Sequence, residues 1–204
     1  MTAHADITGL ILAGGRAQRM GGIDKGLVPF MGAPLIEHAI ARLSPQVATL
    51  LINANRNHDR YAQYGHAVIA DYHADFAGPL AGFSIGLEHC QTEYLLSVPC
   101  DSPVFPLNLG ERLLETMKET QSDLVYASSK DTSNTIWAQP VFCLMRRSVQ
   151  QSLQDFLDQE GRKIDRWFTT LRSTTVVFAD EAAFANTNTP EELRALEQTL
   201  QHSN

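Results

Sequence analysis

The residues best suited to chemistry lie in one run, Leu12-Ala13-Gly14-Gly15-Arg16-Ala17-Gln18-Arg19-Met20-Gly21-Gly22-Ile23-Asp24-Lys25. Its four glycines let backbone N–H groups close on anionic oxygens, with no Cβ in the way. Arg19 and Lys25 add fixed positive charge. The chemistry such a loop supports is the holding of phosphate groups. Two common phosphate loops are excluded by spacing. Lys25 lies between Asp24 and Gly26, so there is no Gly-Lys-Ser/Thr, and no G-x-G-x-x-G is present.

The loop follows an apolar run over 9–13 that reads as a buried strand. Further apolar runs over 48–53, 67–70, 94–98 and 124–127 alternate with helical patterns over 34–43, 58–64, 79–89 and 107–120. In the first of these helices, Leu35, Ile36, Ala39, Ile40 and Leu43 recur at helical spacing. Pro34 suits the first helical position, where its missing N–H costs nothing. Apolar strands alternating with helices predict a mostly parallel sheet covered on both faces. Gly14-Gly15, Asn53, Asp71 and Asp101 follow or end successive strands. Ligands of such sheets bind beyond the carboxyl ends of the strands.

The C-terminal part is less regular. Residues 136–145 read as a strand interrupted at Gln139-Pro140, 147–157 and 162–171 as helices, and 174–179 as a β-branched strand. Thr189-Pro190-Glu191-Glu192 opens a last helix, with Thr as cap, Pro first and Glu third. The patterns predict one single-domain α/β fold: a mostly parallel sheet flanked by helices, with extra edge strands. Its halves span 1–105 and 106–204.

Composition narrows the function classes. A chain of 204 residues with 44% hydrophobic content can bury one core. Acidic residues exceed basic ones, 23 to 16, and the net charge is −7. Basic residues cluster no further than Arg146-Arg147 and Arg162-Lys163, which argues against a nucleic-acid partner. No apolar run approaches the roughly 18 residues of a membrane span. Ala3-His4-Ala5 lacks the basic and apolar stretches of a secretion signal. Cys90, Cys100 and Cys143 are widely spaced, as expected of free thiols in a reducing cytoplasm.

Several separated motifs then point the same way. Leu12-Ala-Gly-Gly-x-x-x-Arg19-Met-Gly-Gly-x-Asp-Lys25-Gly-Leu resembles the signature loop of the NTP-transferase-like nucleotidyltransferases, in particular the molybdenum cofactor guanylyltransferases. Gly78-Pro-Leu-Ala-Gly82, Pro99-Cys-Asp101-x-Pro103, Gly161-Arg162-Lys163 and Asn186-Thr-Asn188-Thr-Pro190 match that family in order. Near relatives differ at single residues. Sugar-phosphate nucleotidyltransferases usually carry Gly where Ala17 stands, and the cytidylyltransferases of this cofactor resemble Leu-Ala-Ala-Gly.

The resemblance implies a Rossmann-like nucleotidyltransferase fold and Mg²⁺-dependent transfer of GMP from GTP to the phosphate of molybdopterin. Its alternatives are transfer of CMP or use of another acceptor, and a module that binds nucleotide without transferring it. It implies Asp101 as metal ligand, Lys25 on the triphosphate and Arg19 on the α/β-phosphates or the developing charge. Leu12, Ala13, Gly14, Gly15, Gly22, Asn53 and Asp71 join Lys25 and Asp101 in the GTP site. Gly78, Gly82, Arg162, Asn186 and Asn188 line the acceptor. The first half thus carries the nucleotide and the second the acceptor. A labile product implies delivery to molybdoenzymes or other cofactor-biosynthesis proteins. Trp137 and Trp167 are of a type that stacks on a pterin or fills a core, and neither is assigned. The seven histidines are scattered and receive no role.

Overall fold

Leu10 and Ile11, Leu51 and Ile52, and Leu95 and Leu96 are adjacent apolar pairs, all buried. Successive side chains of a strand point to opposite faces. Such pairs therefore need a packed layer on each side of the sheet, and the fold supplies two. The computed structural model describes residues 3–13, 24–72, 78–179, 182–187 and 189–202. Among the expected site residues, Gly14, Gly15, Arg19, Gly22 and Asn188 lie outside the described ones.

The chain opens with β1 (Ile7–Leu12), the short hairpin β2 (Pro29–Phe30) and β3 (Ala33–Pro34), and α1 (Leu35–Leu43). β4 (Thr49–Asn53), α2 (His58–Ala62), β5 (Ala67–Ile69), α3 (Pro79–His89) and β6 (Tyr94–Pro99) follow. Then come α4 (Leu109–Thr120), β7 (Leu124–Lys130), β8 (Ile136–Arg146), α5 (Gln150–Asp158), α6 (Ile164–Phe168), β9 (Ser173–Phe178) and α7 (Pro190–His202). The main sheet has seven strands in the order β5-β4-β1-β6-β8-β7-β9. β1 runs parallel to β4 and β6, β4 to β5, and β7 to β9. Among the described strands of this sheet, only β8 is antiparallel, to β6 and β7 on its two sides.

One layer packs α1 and α4 on Ile11, Ile52 and Leu96. The other packs α3, α5 and Trp167 on Leu10, Leu51 and Leu95. Trp167 is thus a core residue. Leu193 and Leu196 of α7 close a smaller cluster with Val28, Phe30 and Leu35. Among the described residues, no helix is long and apolar enough to cross a membrane.

Register aligns the ends of the parallel strands. Leu12 lies opposite both Asn53 and Pro99, and Asn53 lies opposite Ile69. The ladder continues one step further: Ala13 N–H donates to the Asn53 carbonyl at 2.8 Å, and Cys100 N–H to the Leu12 carbonyl at 3.0 Å. The residues that follow these strands consequently emerge on one level.

Three local expectations differ from the structure. Pro34 caps α1 from outside, with an extended ψ of 146°, because it still pairs with Pro29 across the hairpin. The N–H of Leu35 is then free of the helix and donates to Val28 at 2.9 Å. β8 passes through Pro140 uninterrupted. The register jumps from Tyr126↔Cys143 to Ala127↔Gln139, so Pro140, which has no N–H to give a ladder, sits in a bulge. The helix expected over 162–171 is limited to Ile164–Phe168. As for the extra strands, β7 and β9 extend one side of the sheet as expected, but β8 is enclosed between β6 and β7. The cap of α7 forms as read: Thr189 Oγ1 accepts from Glu192 N–H, and Glu192 Oε2 from Thr189 N–H, both at 3.2 Å.

Gln46 is the polar joint beneath this frame. It is 3% exposed. Its Nε2 donates to the carbonyls of Arg42 and Pro106, at 2.8 and 3.2 Å, and its Oε1 accepts from Gly110 N–H at 2.8 Å. Gly110 is the second residue of α4, where an N–H has no partner within the helix. Gln46→Ala is expected to lower the unfolding free energy by about 1–3 kcal/mol. Urea denaturation checks this, and an unchanged midpoint would contradict it.

Candidate active site

Lys25 opens a single 3₁₀ turn, Lys25–Leu27, and Asp101 stands two residues past the end of β6. Lys25 Nζ donates to Asp101 Oδ2 at 2.5 Å. The two side chains are 17% and 20% exposed, so the pair is sheltered yet open to a ligand. Each partner is held by its neighbours. Asp101's carbonyl accepts from Thr187 N–H and Thr187 Oγ1, both at 3.0 Å. Next to it, Ser102 Oγ donates to Asn186 Oδ1 at 2.6 Å. Two segments separated by more than eighty residues therefore form one turn, and Asn186 arrives beside Asp101 as a consequence.

On the Lys25 side, the preceding residue Asp24 is buried, at 8% exposure. Its Oδ1 accepts from the Tyr61 hydroxyl at 2.6 Å and its Oδ2 from Asn57 Nδ2 at 2.9 Å. Burial first, and then the bond to Asp24, pushes the Tyr61 phenol well above its ordinary pKa. Burial, with Asp101 next, does the same to the Cys100 thiol. Neither group is an acid or nucleophile near neutral pH.

The second cluster sits at the ends of β4 and β5. Asn53 is 3% exposed, and its Nδ2 donates to Asp71 Oδ1 at 2.9 Å. Asn55 Nδ2 donates to Asp71 Oδ2 at 2.8 Å, and Asp71 N–H returns a bond to Asn55 Oδ1 at 2.9 Å. Two amides thus fix the Asp71 carboxylate as an acceptor facing a cleft. That cleft is lined by Asp71, Tyr72, Ala81, Ser84, Gln154 and Leu157. Asn55, Asp24 and Tyr61 were not singled out from the sequence. Asn55 lies two residues past Asn53, and that spacing was the available signal.

The remaining expected residues divide. Gly78 begins α3 at φ +135° and is exposed. Gly82 is buried: a Cβ there would stand 2.4 Å from Leu12 Cδ2 and 2.8 Å from Asn53 Oδ1. Its absent side chain lets α3 rest on β1 and leaves room for the Asn53 amide. Leu12 and Ala13 lie at the end of β1, level with Asn53. Arg162 is exposed and donates through Nη1 to the carbonyls of Leu157 and Gly161, at 3.0 and 2.8 Å. The first of these carbonyls lies in the last turn of α5 and the second just beyond it, a use of Arg that the sequence motif does not reveal. Trp137 is 53% exposed, with Nε1 donating to Asp131 at 2.9 Å.

Among the described residues, no three His, Cys, Asp or Glu side chains gather as a metal cage. A hard cation that takes one or two carboxylates, with water and phosphate as its other ligands, fits the lone Asp101. The arrangement can therefore hold a polyphosphate between Lys25 and such a cation, with a nucleoside toward Asn53 and Asp71.

Comparison with known proteins bears on the family and the fold. Residues 9–174 match the model of the MobA-like NTP transferase domain. The chain is 60% identical over 200 residues to a molybdenum cofactor guanylyltransferase of Polynucleobacter asymbioticus, covering 98% of this chain and all of the relative. It is 50% identical to one from Ralstonia nicotianae, covering 96% and 98%. In structure it is similar to molybdopterin-guanine dinucleotide biosynthesis protein A from Archaeoglobus fulgidus, with a TM-score of 0.78. That likeness covers 96% of this chain and 99% of the other at 22% identity, so it speaks for the fold.

The Gly82 contact generates a test. Gly82→Ala is expected to cost about 1–3 kcal/mol in urea unfolding, by overpacking against Leu12 and Asn53. Adding Leu12→Ala should recover part of that loss. Strict additivity of the two changes would place the contact elsewhere.

Proposed function

The chain belongs to the MobA-like NTP transferase family, and from that membership we propose that it transfers GMP from GTP to the phosphate of molybdopterin. The products are the guanine dinucleotide form of the cofactor and pyrophosphate. The observation that carries the reading is the Lys25–Asp101 pair. It stands on the same sheet edge as Asn53 and Asp71, in a chain 60% identical to a guanylyltransferase.

In this reaction an oxygen of the acceptor phosphate attacks the α-phosphorus of GTP. A new P–O–P link forms, the bond from the α-phosphorus to the β-phosphate's bridging oxygen breaks, and pyrophosphate leaves. A phosphate monoester has its second pKa near 6, so the attacking oxygen is already anionic at neutral pH. No general base is required, in keeping with a site whose Tyr61 and Cys100 stay protonated. The problem is electrostatic: several negative groups must meet in line.

The residues divide that work. Lys25 leaves Asp101 for the triphosphate. Arg19 serves the α/β-phosphates or the charge that develops there, helped by backbone N–H groups of Gly14, Gly15 and Gly22. Asp101 is the residue to hold Mg²⁺, which when bound neutralises phosphate charge. Asn53 and Asp71 take the nucleoside beside the backbone of Leu12 and Ala13. Asp71, oriented by two amides, presents a carboxylate to N–H donors of the base or hydroxyls of the ribose. Gly78, Gly82, Arg162, Asn186 and Asn188 are the residues assigned to the acceptor. Residues 1–105 thus carry the nucleotide, and 106–204 most of the acceptor pocket. Three buried free thiols, Cys90, Cys100 and Cys143, suit a reducing cytoplasm, where the product passes to molybdoenzymes or other proteins of cofactor biosynthesis.

Pyrophosphate release in the presence of Mg²⁺, compared for GTP, CTP and ATP with and without molybdopterin, tests the reading. Acceptor-dependent release with GTP alone is expected. Release with CTP instead would reassign the base. GTP binding without release would make the chain a binding or delivery module. Asp101→Asn and Lys25→Ala are each expected to lower turnover about 10²- to 10³-fold with unfolding curves close to the parent's. Parent-like turnover in either variant would remove that residue from the site.

A further inference from the structure

Asp24 is a carboxylate one residue from the lysine assigned to the triphosphate, where it would repel the ligand if it faced the site. It does not. It is 8% exposed, and both its oxygens accept hydrogen bonds from α2 and the residue before it. Tyr61, one of the donors, is fully buried. The other, Asn57, holds φ at +53°, and its carbonyl accepts from Arg60 and Tyr61 N–H, so its backbone opens α2 while its amide reaches Asp24.

Gly26, on the far side of Lys25, meets the same phenol. A Cβ at Gly26 would stand 2.5 Å from the Tyr61 hydroxyl oxygen. The neighbours of Lys25 on both sides therefore rest on one buried hydroxyl. Between them, Leu27 N–H donates to Asp24 and Val28 N–H to Lys25, at 3.0 and 3.1 Å, which closes the 3₁₀ turn. Tyr61 also shares the core cluster that holds Cys100, the residue before Asp101. The phenol thus sits beneath the Lys25 side of the ion pair, in the same core layer as the residue before Asp101.

We propose that Asp24, Tyr61 and Asn57 form an anchor that positions Lys25 for the triphosphate, with Gly26 retained to admit the phenol. The anchor turns the Asp24 charge away from the ligand and uses it to fix the direction of the lysine. Its members are positioning residues and touch no substrate. The inference rests on the guanylyl-transfer reading for the identity of the ligand.

The test compares the intact parent chain with Tyr61→Phe, Asp24→Asn and Asp24→Ala. The readouts are equilibrium binding of a fluorescent GTP analogue, steady-state kinetics and thermal unfolding. Tyr61→Phe keeps the ring and removes only the donor. It is expected to weaken nucleotide binding and raise KM for GTP roughly tenfold, leaving KM for molybdopterin unchanged. Asp24→Asn retains an acceptor for the phenol, and its amide pairs with Asn57 once that side chain flips. It is expected to stay within about threefold of the parent, whereas Asp24→Ala should match Tyr61→Phe. Combining Asp24→Ala with Tyr61→Phe should add little, because both remove the same bond. A Tyr61→Phe variant with a lowered melting temperature but parent-like affinity and KM for GTP would reduce the cluster to packing and overturn the proposal. A parent that binds no nucleotide would sink the guanylyl-transfer reading, and this inference with it. A parent that binds GTP no better than Tyr61→Phe does would overturn the anchor alone.

Discussion

A lysine and an aspartate facing each other at 2.5 Å are the contact on which this site is built. Two flexible side chains do not fix their own meeting point, since ordering them costs rotamer freedom. The geometry of the pair must be imposed by the fold, and the fold imposes it from two directions. Asp101 is fixed by the ladder that carries Cys100 N–H to Leu12 and by the two Thr187 bonds to its own carbonyl. Lys25 stands on a turn whose flanking residues press on Tyr61. Each partner is thus held by contacts of its own, independent of the other.

Net charge sharpens the point. A chain of charge −7 that takes a triphosphate and a phosphorylated acceptor needs its few cations in the right place. Burying Asp24 on hydroxyl and amide donors removes one opposing charge from the site. Clamping Asp71 between the Asn53 and Asn55 amides fixes the direction of another. The polar residues around the sheet edge thus sort charge as much as they bind.

Much of this was legible in the sequence, for local reasons. Apolar pairs such as Leu10-Ile11 and Leu95-Leu96 specify a strand buried on both faces, and turn residues after each mark the edge where ligands bind. Asp101, Asn53, Asp71 and Lys25 stand out because strand ends and a glycine loop are local patterns, and the fold pairs Lys25 with Asp101 and Asn53 with Asp71. What escaped depends on partners far along the chain. Nothing near Asp24 announces Tyr61, thirty-seven residues on. Nothing near Asp101 announces Thr187, eighty-six residues on. The motif around Gly82 does not show that the space at this glycine is filled by Leu12 and Asn53 of neighbouring strands. The bond from Arg162 to the end of α5 likewise depends on how the chain folds back there. Pro140 read as a break, because a bulge opposite Tyr126 and Ala127 appears only when β7 and β8 are paired.

The most direct measurement is a crystal structure of the chain with GTP and Mg²⁺. Lys25 Nζ should lie on a phosphate oxygen and Asp101 on the metal at about 2.0–2.1 Å, with the Lys25–Asp101 contact broken. Guanosine should lie against Asn53 and Asp71, and Asp24 should remain bonded to Tyr61. An intact Lys25–Asp101 pair with the nucleotide bound elsewhere would contradict the assignment of this edge as the site of transfer.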